Sequence, residues 1–304
     1  MNAVHSPQLG RQDWDVTRLA GALGAEVHGA DLANVDEVAV MAIKRLLNEH
    51  MVLFFPDQAL TPDQHIEFGR HFGPLDGHPN LTNRNVRPEL FELAASTGGI
   101  ADEWHTDLTF LPEPALMSIL RMVKCPPSGG DTMWSSLCAA YDALSEPMKE
   151  LCEGLTALHD ALPHDRPDRM AIHPVVRIHP DTGRKALYVS EHFTRRIVEM
   201  SGPESDALLA FLTRWVQNPQ FTVRYHWRPN TIGIWDNRCT QHYVLNDFDG
   251  ERVIQRVTVM GDKPEGNTPR WAPAVKTGRR SAMSRHDRQL GRFLKSQREQ
   301  GAAD

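Results

Sequence analysis

Beyond residue 90 the chain falls into a succession of short apolar segments separated by Pro, Gly and Asn, and this repetition constrains the fold more than any other feature. "ALMSILRMV" (115–123), "HPVVRIHP" (173–180), "ALYVS" (186–190), "FTVRYHW" (221–227), "TIGIWDN" (231–237) and "RVIQRVTVMGD" (252–262) are each of strand length and bounded by turn formers. Two helical stretches, at 136–155 and 203–217, interrupt them. Strands without regular strand–helix alternation disfavour a doubly wound parallel sheet. No glycine-rich phosphate loop joins a strand to a helix either; "PSGGDT" (127–132) is a turn without the P-loop lysine. The expected fold is mixed β with helices: a double-stranded β-helix (jelly-roll) core with flanking helices.

The first ninety residues add local detail. Residues 16–34 carry apolar stretches broken by glycine, as in strands joined by turns, and "VDEVAVMAIKRLLNEH" has helical spacing. "MVLFF" reads as a buried strand stopped by Pro56. "TPDQHIEFGRHFG" opens with a threonine cap and a proline in the first turn, so a short helix ending at Gly73 is expected.

With 304 residues, 40% of them hydrophobic and 24% charged, the chain has the means to bury one large core. A net charge of −6 gives no reason to expect nucleic acid or an anionic membrane as partner. Four cysteines without a CxxC pair fit a reducing compartment. "MNAVHSPQLGRQDW" lacks the apolar core of a signal peptide, and no apolar run nears the roughly 20 residues of a membrane helix, so a cytoplasmic protein is expected. Three parts are anticipated: an N-terminal extension (1–15), one domain (16–264), and a basic tail (265–304), helical or partly disordered. From Lys276 to Asp304 eight Lys/Arg face three Asp/Glu, which reads as a solvated helix or frayed end rather than a binding arm.

The residues that carry chemistry begin at "EWHTDLT" (103–109). On a strand, alternate residues share a face, so His105 and Asp107 could converge on one point. Imidazole and carboxylate with open positions suit ferrous iron, and a second histidine would complete a facial triad. Alone, the pair also fits a surface turn in which the aspartate bonds its own backbone. A candidate for the second histidine is His242, where a strand and a polar turn end in "IWDNRCTQH". The following strand carries Arg252, Ile254, Arg256 and Thr258 on one face. Two inward guanidinium groups are costly to bury without anions, and their planar forks suit carboxylate or sulfonate oxygens. The alternative places both arginines on an outer face and buries Val253, Val257 and Val259 instead.

"WHTDLTF", "GGDTMW", "WDNRCTQH" and "RVIQRVTVMGDKP", in this order and spacing, resemble the successive motifs of the taurine dioxygenase (TauD/TfdA) family of iron(II)- and 2-oxoglutarate-dependent dioxygenases, over residues 16–264. The resemblance implies that His105, Asp107 and His242 ligate Fe(II), with 2-oxoglutarate and O2 as cosubstrates. Thr132 and Arg252 match the residues that hold the distal carboxylate of 2-oxoglutarate, and Arg256 the arginine that meets the substrate's anionic group. His78 matches a histidine on that same group, and Phe193 an aromatic of the substrate pocket. Trp134 and Trp235 match aromatics near the site, where packing is the simpler role. A homodimer or homotetramer is implied too.

Two departures bear on the substrate. Taurine-using members carry an asparagine where this chain has Ala101 and a tyrosine where it has Leu81. Alanine and leucine leave more apolar space, suited to an alkyl chain behind an anionic head. Alkylsulfate-cleaving members share the "GHP" at 77–79. The expected reaction is hydroxylation of a small anionic substrate, an alkyl sulfate ester or alkanesulfonate, releasing sulfate or sulfite plus aldehyde, with succinate and CO2. The same chemistry on a carboxylate, such as an aryloxyalkanoate or a specialised metabolite, is the alternative. A non-catalytic binding protein of the same fold would need a broken triad or missing arginines, and neither is found. The other histidines read as structural. In "HPVVRIH", His173 and His179 have no carboxylate in register, while His192, beside Phe193, is the one able to reach the pocket.

Overall fold

The computed structural model describes residues 13–77, 87–97, 101–274 and 285–300. β1 (Asp15–Arg18) and β2 (Ala25–His28) lead through α1 (Glu37–His50) to β3 (Val52–Phe55), α2 (Pro62–Arg70) and β4 (Phe91–Ala94). β5 (Ala115–Lys124) and β6 (Thr132–Ser136) are followed by α3 (Leu137–Asp142), α4 (Glu146–Cys152), β7 (Thr156–Ala161), β8 (Arg166–Pro174), β9 (Val176–Ile178), β10 (Lys185–Leu187) and β11 (Thr194–Ile197). Then come α5 (Gly202–Trp215), β12 (Thr222–Tyr225), β13 (Ile232–Asp236), β14 (Thr240–Val244), β15 (Val253–Met260) and α6 (Arg285–Gln300).

Seven strands form the major sheet, in the order β1-β2-β3-β13-β5-β15-β4, and β12-β6-β14 form a minor one. The inner strands β3 and β13 of the major sheet are buried on both faces, which explains their nearly unbroken apolar runs. Leu53 and Phe55 point to a core shared with Ile43 and Leu47 of α1 and Ile66 and Phe68 of α2. Phe54, Leu120, Trp235 and Ile254 point the other way, to a core closed by Trp134, Val223 and Tyr225 of the minor sheet. β15 splits likewise: Val257 and Val259 face the helices while Ile254 faces the minor sheet. Arg256 of this strand and Arg252 just before it therefore line the space between the sheets and not an outer face; Arg252 is 7% exposed.

Local signals account for the helix ends. Thr61 and Gln64 bond each other's backbone N–H at 3.2 and 2.9 Å, a reciprocal cap that starts α2. The Asp36 carboxylate accepts from the Ala39 N–H at 2.7 Å and starts α1. The single helix expected at 136–155 is two, α3 and α4. Pro147 lacks an N–H and its ring would strike the carbonyl of Ala143, so the helix stops and a new one begins with proline in its first turn.

The tail also differs from expectation. Residues 265–274 run along the body, with Ile178 N–H donating to Glu265 O at 2.8 Å and Arg270 N–H to Gly154 O at 3.1 Å. α6 is helical as expected but solvated on one face only: Leu290 is fully buried against Leu158 and Val198, with Phe293 and Leu294 packed beside them. The net charge of the segment hid an amphipathic face. At the other end Trp14, assigned to the extension, packs edge-on against Phe55 at 6.5 Å. No helix among the described residues is long and apolar enough to cross a membrane.

Candidate active site

His105, Asp107 and His242 come together between the sheets, with one donor atom from each inside a 4.8 Å group and all three residues buried. They do so by a route the alternation argument missed. His105 and Asp107 are not on a strand: His105 makes an isolated two-bond bridge to His242, N–H to O at 3.1 Å one way and 2.8 Å the other, and Asp107 lies in the turn that follows. Thr106 is tied down as well, its hydroxyl donating to Thr240 O at 2.8 Å. Leu108 then takes the left-handed conformation (φ 60°), which reverses the chain. His242 sits in β14, not at the end of a turn, opposite Trp134 of β6.

The hydrogen bonds fix which atoms are free. His105 Nδ1 lies 2.7 Å from Glu103 O, and a carbonyl only accepts, so Nδ1 carries the proton and Nε2 offers a lone pair. Burial, only partly offset by Asp107, pulls the His105 pKa down to about 4 and that of His242 well below its usual value, so both imidazoles are neutral. Burial alone would raise the Asp107 pKa; Arg256 foremost, then His242, His105 and a bond from Ser118, hold it well below the usual carboxylate range. Two neutral imidazoles and one carboxylate on one face fit a divalent first-row metal such as Fe(II).

Asp107 is gripped through a directional chain. Asn237 Oδ1 receives two N–H donors, Trp235 Nε1 at 3.1 Å and the Asp107 amide at 3.3 Å, which orients its side-chain amide. Its Nδ2 then donates to Ser118 Oγ at 3.1 Å, and the one serine hydrogen is left for Asp107 Oδ2 at 2.7 Å. Ser118, Asn237 and Trp235 are all 1% exposed or less. Arg256 Nη1 holds the other oxygen, Oδ1, at 3.0 Å, with its guanidinium over the Phe91 ring.

Thr132 and Arg252 also meet. Arg252 Nε donates to Gly130 O at 3.0 Å and Nη2 to Thr132 Oγ1 at 3.4 Å, so the partners of this buried cation are uncharged. Burial pulls its pKa down to about 10. The glycine turn serves this contact: Gly129 and Gly130 both have positive φ (72° and 69°), and a Cβ on Gly130 would press on Arg252 Cδ at 3.3 Å.

These groups line a cavity of about 510 Å³. Ala101 and Phe193 border it, as do Phe91, Leu93, Leu108 and Val244. Trp134 and Trp235 reach it but are otherwise core residues. His78 and Leu81 lie outside the described residues. His192 reaches the cavity as expected from its place beside Phe193, whereas Glu103 and His164 were not assigned from sequence. His192 Nδ1 meets Glu103 Oε2 at 2.6 Å, and the His164 ring stacks on Phe193 at 5.5 Å. Ser118 carried a faint signal, as the one polar residue besides Arg121 in the apolar run "ALMSILRMV". His179 does have a carboxylate, against expectation: its Nε2 is 2.9 Å from Asp236 Oδ2, with Cys239 near. Asp236 already accepts from Arg238 at 2.7 Å, so that cluster is an internal ion pair and not a second metal site.

Three comparisons bear on this geometry. A family model described as taurine catabolism dioxygenase TauD, TfdA family matches residues 15–258. An alpha-ketoglutarate-dependent sulfate ester dioxygenase of Pseudomonas putida is 37% identical over 275 residues, covering 83% of this chain and 91% of that one. An alkylsulfatase of Acinetobacter baylyi is 36% identical over 278 residues, covering 84% and 87%. The crystal structure of a taurine dioxygenase from Burkholderia xenovorans superposes with a TM-score of 0.79 at 38% identity, covering 89% of this chain and 98% of that one.

Proposed function

The chain belongs to the TauD/TfdA family of 2-oxoglutarate-dependent dioxygenases, and we propose that it oxidises an alkyl sulfate ester or an alkanesulfonate at the carbon bearing the sulfur group. The observation that carries this reading is Arg256, a cation beside Asp107 in a cavity whose wall also presents the apolar side chains Phe91, Leu93, Phe193 and Val244. A small anion with an alkyl tail matches that pairing, and a sulfate ester is the substrate class in the name of the P. putida relative. The two sheets are read as the walls of a jelly roll around the site.

His105, Asp107 and His242 would hold Fe(II). Bound there with 2-oxoglutarate and O2, the metal supplies the oxidation that converts 2-oxoglutarate to succinate and CO2 and hydroxylates a substrate C–H bond. The protein supplies position. Arg252, with Thr132 beside it, offers its fork to the distal carboxylate of 2-oxoglutarate, an anion its uncharged partners leave it able to take. Arg256 orients the substrate's oxyanion, and Phe193, Leu93 and Val244 exclude water around the alkyl chain. Hydroxylation of the ester carbon places two oxygens on it; loss of the hydroxyl proton and cleavage of the C–O bond to sulfur then give aldehyde and sulfate. A sulfonate gives sulfite by C–S cleavage.

The test is a substrate panel with anaerobically loaded Fe(II) and 2-oxoglutarate, started with O2, scoring succinate together with sulfate or sulfite. Hexyl sulfate and hexanesulfonate should give succinate and the sulfur anion in equal amounts. Turnover only with an aryloxyalkanoate would transfer the same chemistry to a carboxylate and overturn the sulfur reading.

A further inference from the structure

We propose that α6, which lies beyond the stretch matched by the family model (15–258), is part of the substrate site: through Gln289 and Asp160 it sets the cavity wall formed by Pro163, His164, His192 and Phe193. The choice of probe rests on the reading of the substrate given above.

Asp160 is the node. It is fully buried at the end of β7, and its backbone N–H bonds Phe193 O at 3.0 Å. Its Oδ1 accepts from the Leu162 N–H at 3.1 Å, which fixes the turn that presents Pro163 and His164 to the cavity. The same oxygen accepts from Arg195 Nε at 2.8 Å, and Arg195 Nη2 in turn donates to His192 O at 2.6 Å. One carboxylate therefore holds both segments of this wall. Its second oxygen, Oδ2, is held by Gln289 Nε2 of α6 at 3.1 Å. A buried carboxylate oxygen demands a donor, and this one is supplied from 129 residues further along the chain.

The helix is anchored for that task. Asp287 pairs with Arg196 Nε at 3.1 Å, one residue from Arg195, and Leu290 is fully buried beside Leu158 and Val198. Gln289 itself is 4% exposed. Its contact with Asp160 lies between these two anchors. Asp160, Arg195 and Gln289 are positioning residues, since among the described residues they act on the cavity through its wall and do not line it.

Gln289→Glu sets two carboxylates against each other at this contact. Asp160→Asn in the same chain restores a donor: the asparagine Oδ1 still accepts from Arg195 and Leu162, while its amide donates to the new glutamate. Hydrogen–deuterium exchange of the full chain reads the wall without reference to any substrate. In Gln289→Glu, exchange at 160–164 and 191–195 should accelerate about tenfold, the scale of one lost bond to a buried charge. KM for hexyl sulfate should rise by about the same factor, while KM for 2-oxoglutarate stays within about twofold. The double variant should recover both. Should Gln289→Glu fail to fold, Gln289→Ala is expected to give the same split. Unchanged exchange at the wall, equal rises in both KM values, or no recovery in the double variant would each overturn the proposal. Absence of turnover of hexyl sulfate by the unaltered protein would sink the substrate reading instead, and the exchange comparison would still decide the role of α6.

Discussion

Ser118→Ala tests how the proposed metal ligand Asp107 is held. The serine hydroxyl is fully buried and donates to Asp107 Oδ2 at 2.7 Å. A hydrogen bond to a charged group contributes about 1.5–3 kcal/mol. Its loss also strands Asn237 Nδ2, which donates to the same hydroxyl at 3.1 Å. Asp107 stays ionised, because Arg256 remains 3.0 Å from Oδ1. What the variant loses is orientation: the carboxylate becomes free to turn toward the guanidinium. At about 1.4 kcal/mol per tenfold, affinity for a divalent metal should fall about 10- to 100-fold, the usual range for removing an outer partner of a ligand. Chelator-competed titration of the metal-free protein with Co(II), followed by visible absorption, measures this without turnover. Deleting one oxygen costs the lost bond and about 1–3 kcal/mol for the stranded Asn237 donor, less than the stability of a typical domain, so the variant should remain folded by circular dichroism. An affinity within about twofold of the unaltered protein, in a folded variant, would show that Arg256 and the backbone hold Asp107 unaided and would refute the argument.

Other outcomes follow from the same geometry. His105→Ala removes one of three proposed ligands and should abolish iron-dependent succinate formation; full activity would exclude the site. Arg252→Met should raise the Kd for 2-oxoglutarate about 100-fold or more, as expected when a buried charge pair loses one partner, and leave substrate binding nearly unchanged. Arg256→Ala should do the reverse, and the opposite pattern in isothermal titration would mean the two arginines exchange roles. His65 sets an acid sensitivity away from the cavity. Burial pulls its pKa from 6.5 down to about 4, with Nε2 bonded to Ile119 O at 3.0 Å. The unfolded chain takes up this proton near pH 6.5 and the folded protein only near 4, so stability is full above 6.5 and falls as pH drops through that window. The full loss is about 3 kcal/mol from this residue, at about 1.4 kcal/mol per pH unit, and His65→Gln should flatten urea-unfolding stability between those values. Asp107 and Asp236, whose pKa values are depressed, act only at lower pH.

Much of this was legible in the chain because it is local. The reciprocal cap of Thr61 and Gln64, the stop at Pro56 and the two-sided apolar run of β3 each depend on residues a few positions apart. The motif order carried His105, Asp107, His242, Thr132 and Arg252 as a set, and the structure gathers that set around one cavity. What a sequence period could not supply was the mode of convergence: a bridge and a turn, and not a strand, bring the first two proposed ligands to the third. Equally hidden were contacts between distant positions. Ser118 meets Asp107 from β5, Asn237 meets both from beyond β13, and α6 meets Asp160 across 129 residues. Composition misled at the tail, since eight basic residues outweighed the few apolar ones that pack.

Arg256 joins these two levels. A largely desolvated guanidinium favours an anionic partner, and for the partly buried Arg256 that partner is Asp107 Oδ1, 3.9 Å from His105 Nε2. The arginine proposed to take the substrate's oxyanion is thus already satisfied by a proposed metal ligand. An incoming sulfate or sulfonate competes with that carboxylate for one guanidinium, and whatever share it wins leaves Asp107 Oδ1 freer. Ser118, on the opposite oxygen, is what keeps Asp107 from following the arginine when the pair loosens. The residue that recognises the anion and the residues that aim the carboxylate form one linked system, so substitutions at Arg256 and Ser118 should not be additive in their effect on metal affinity.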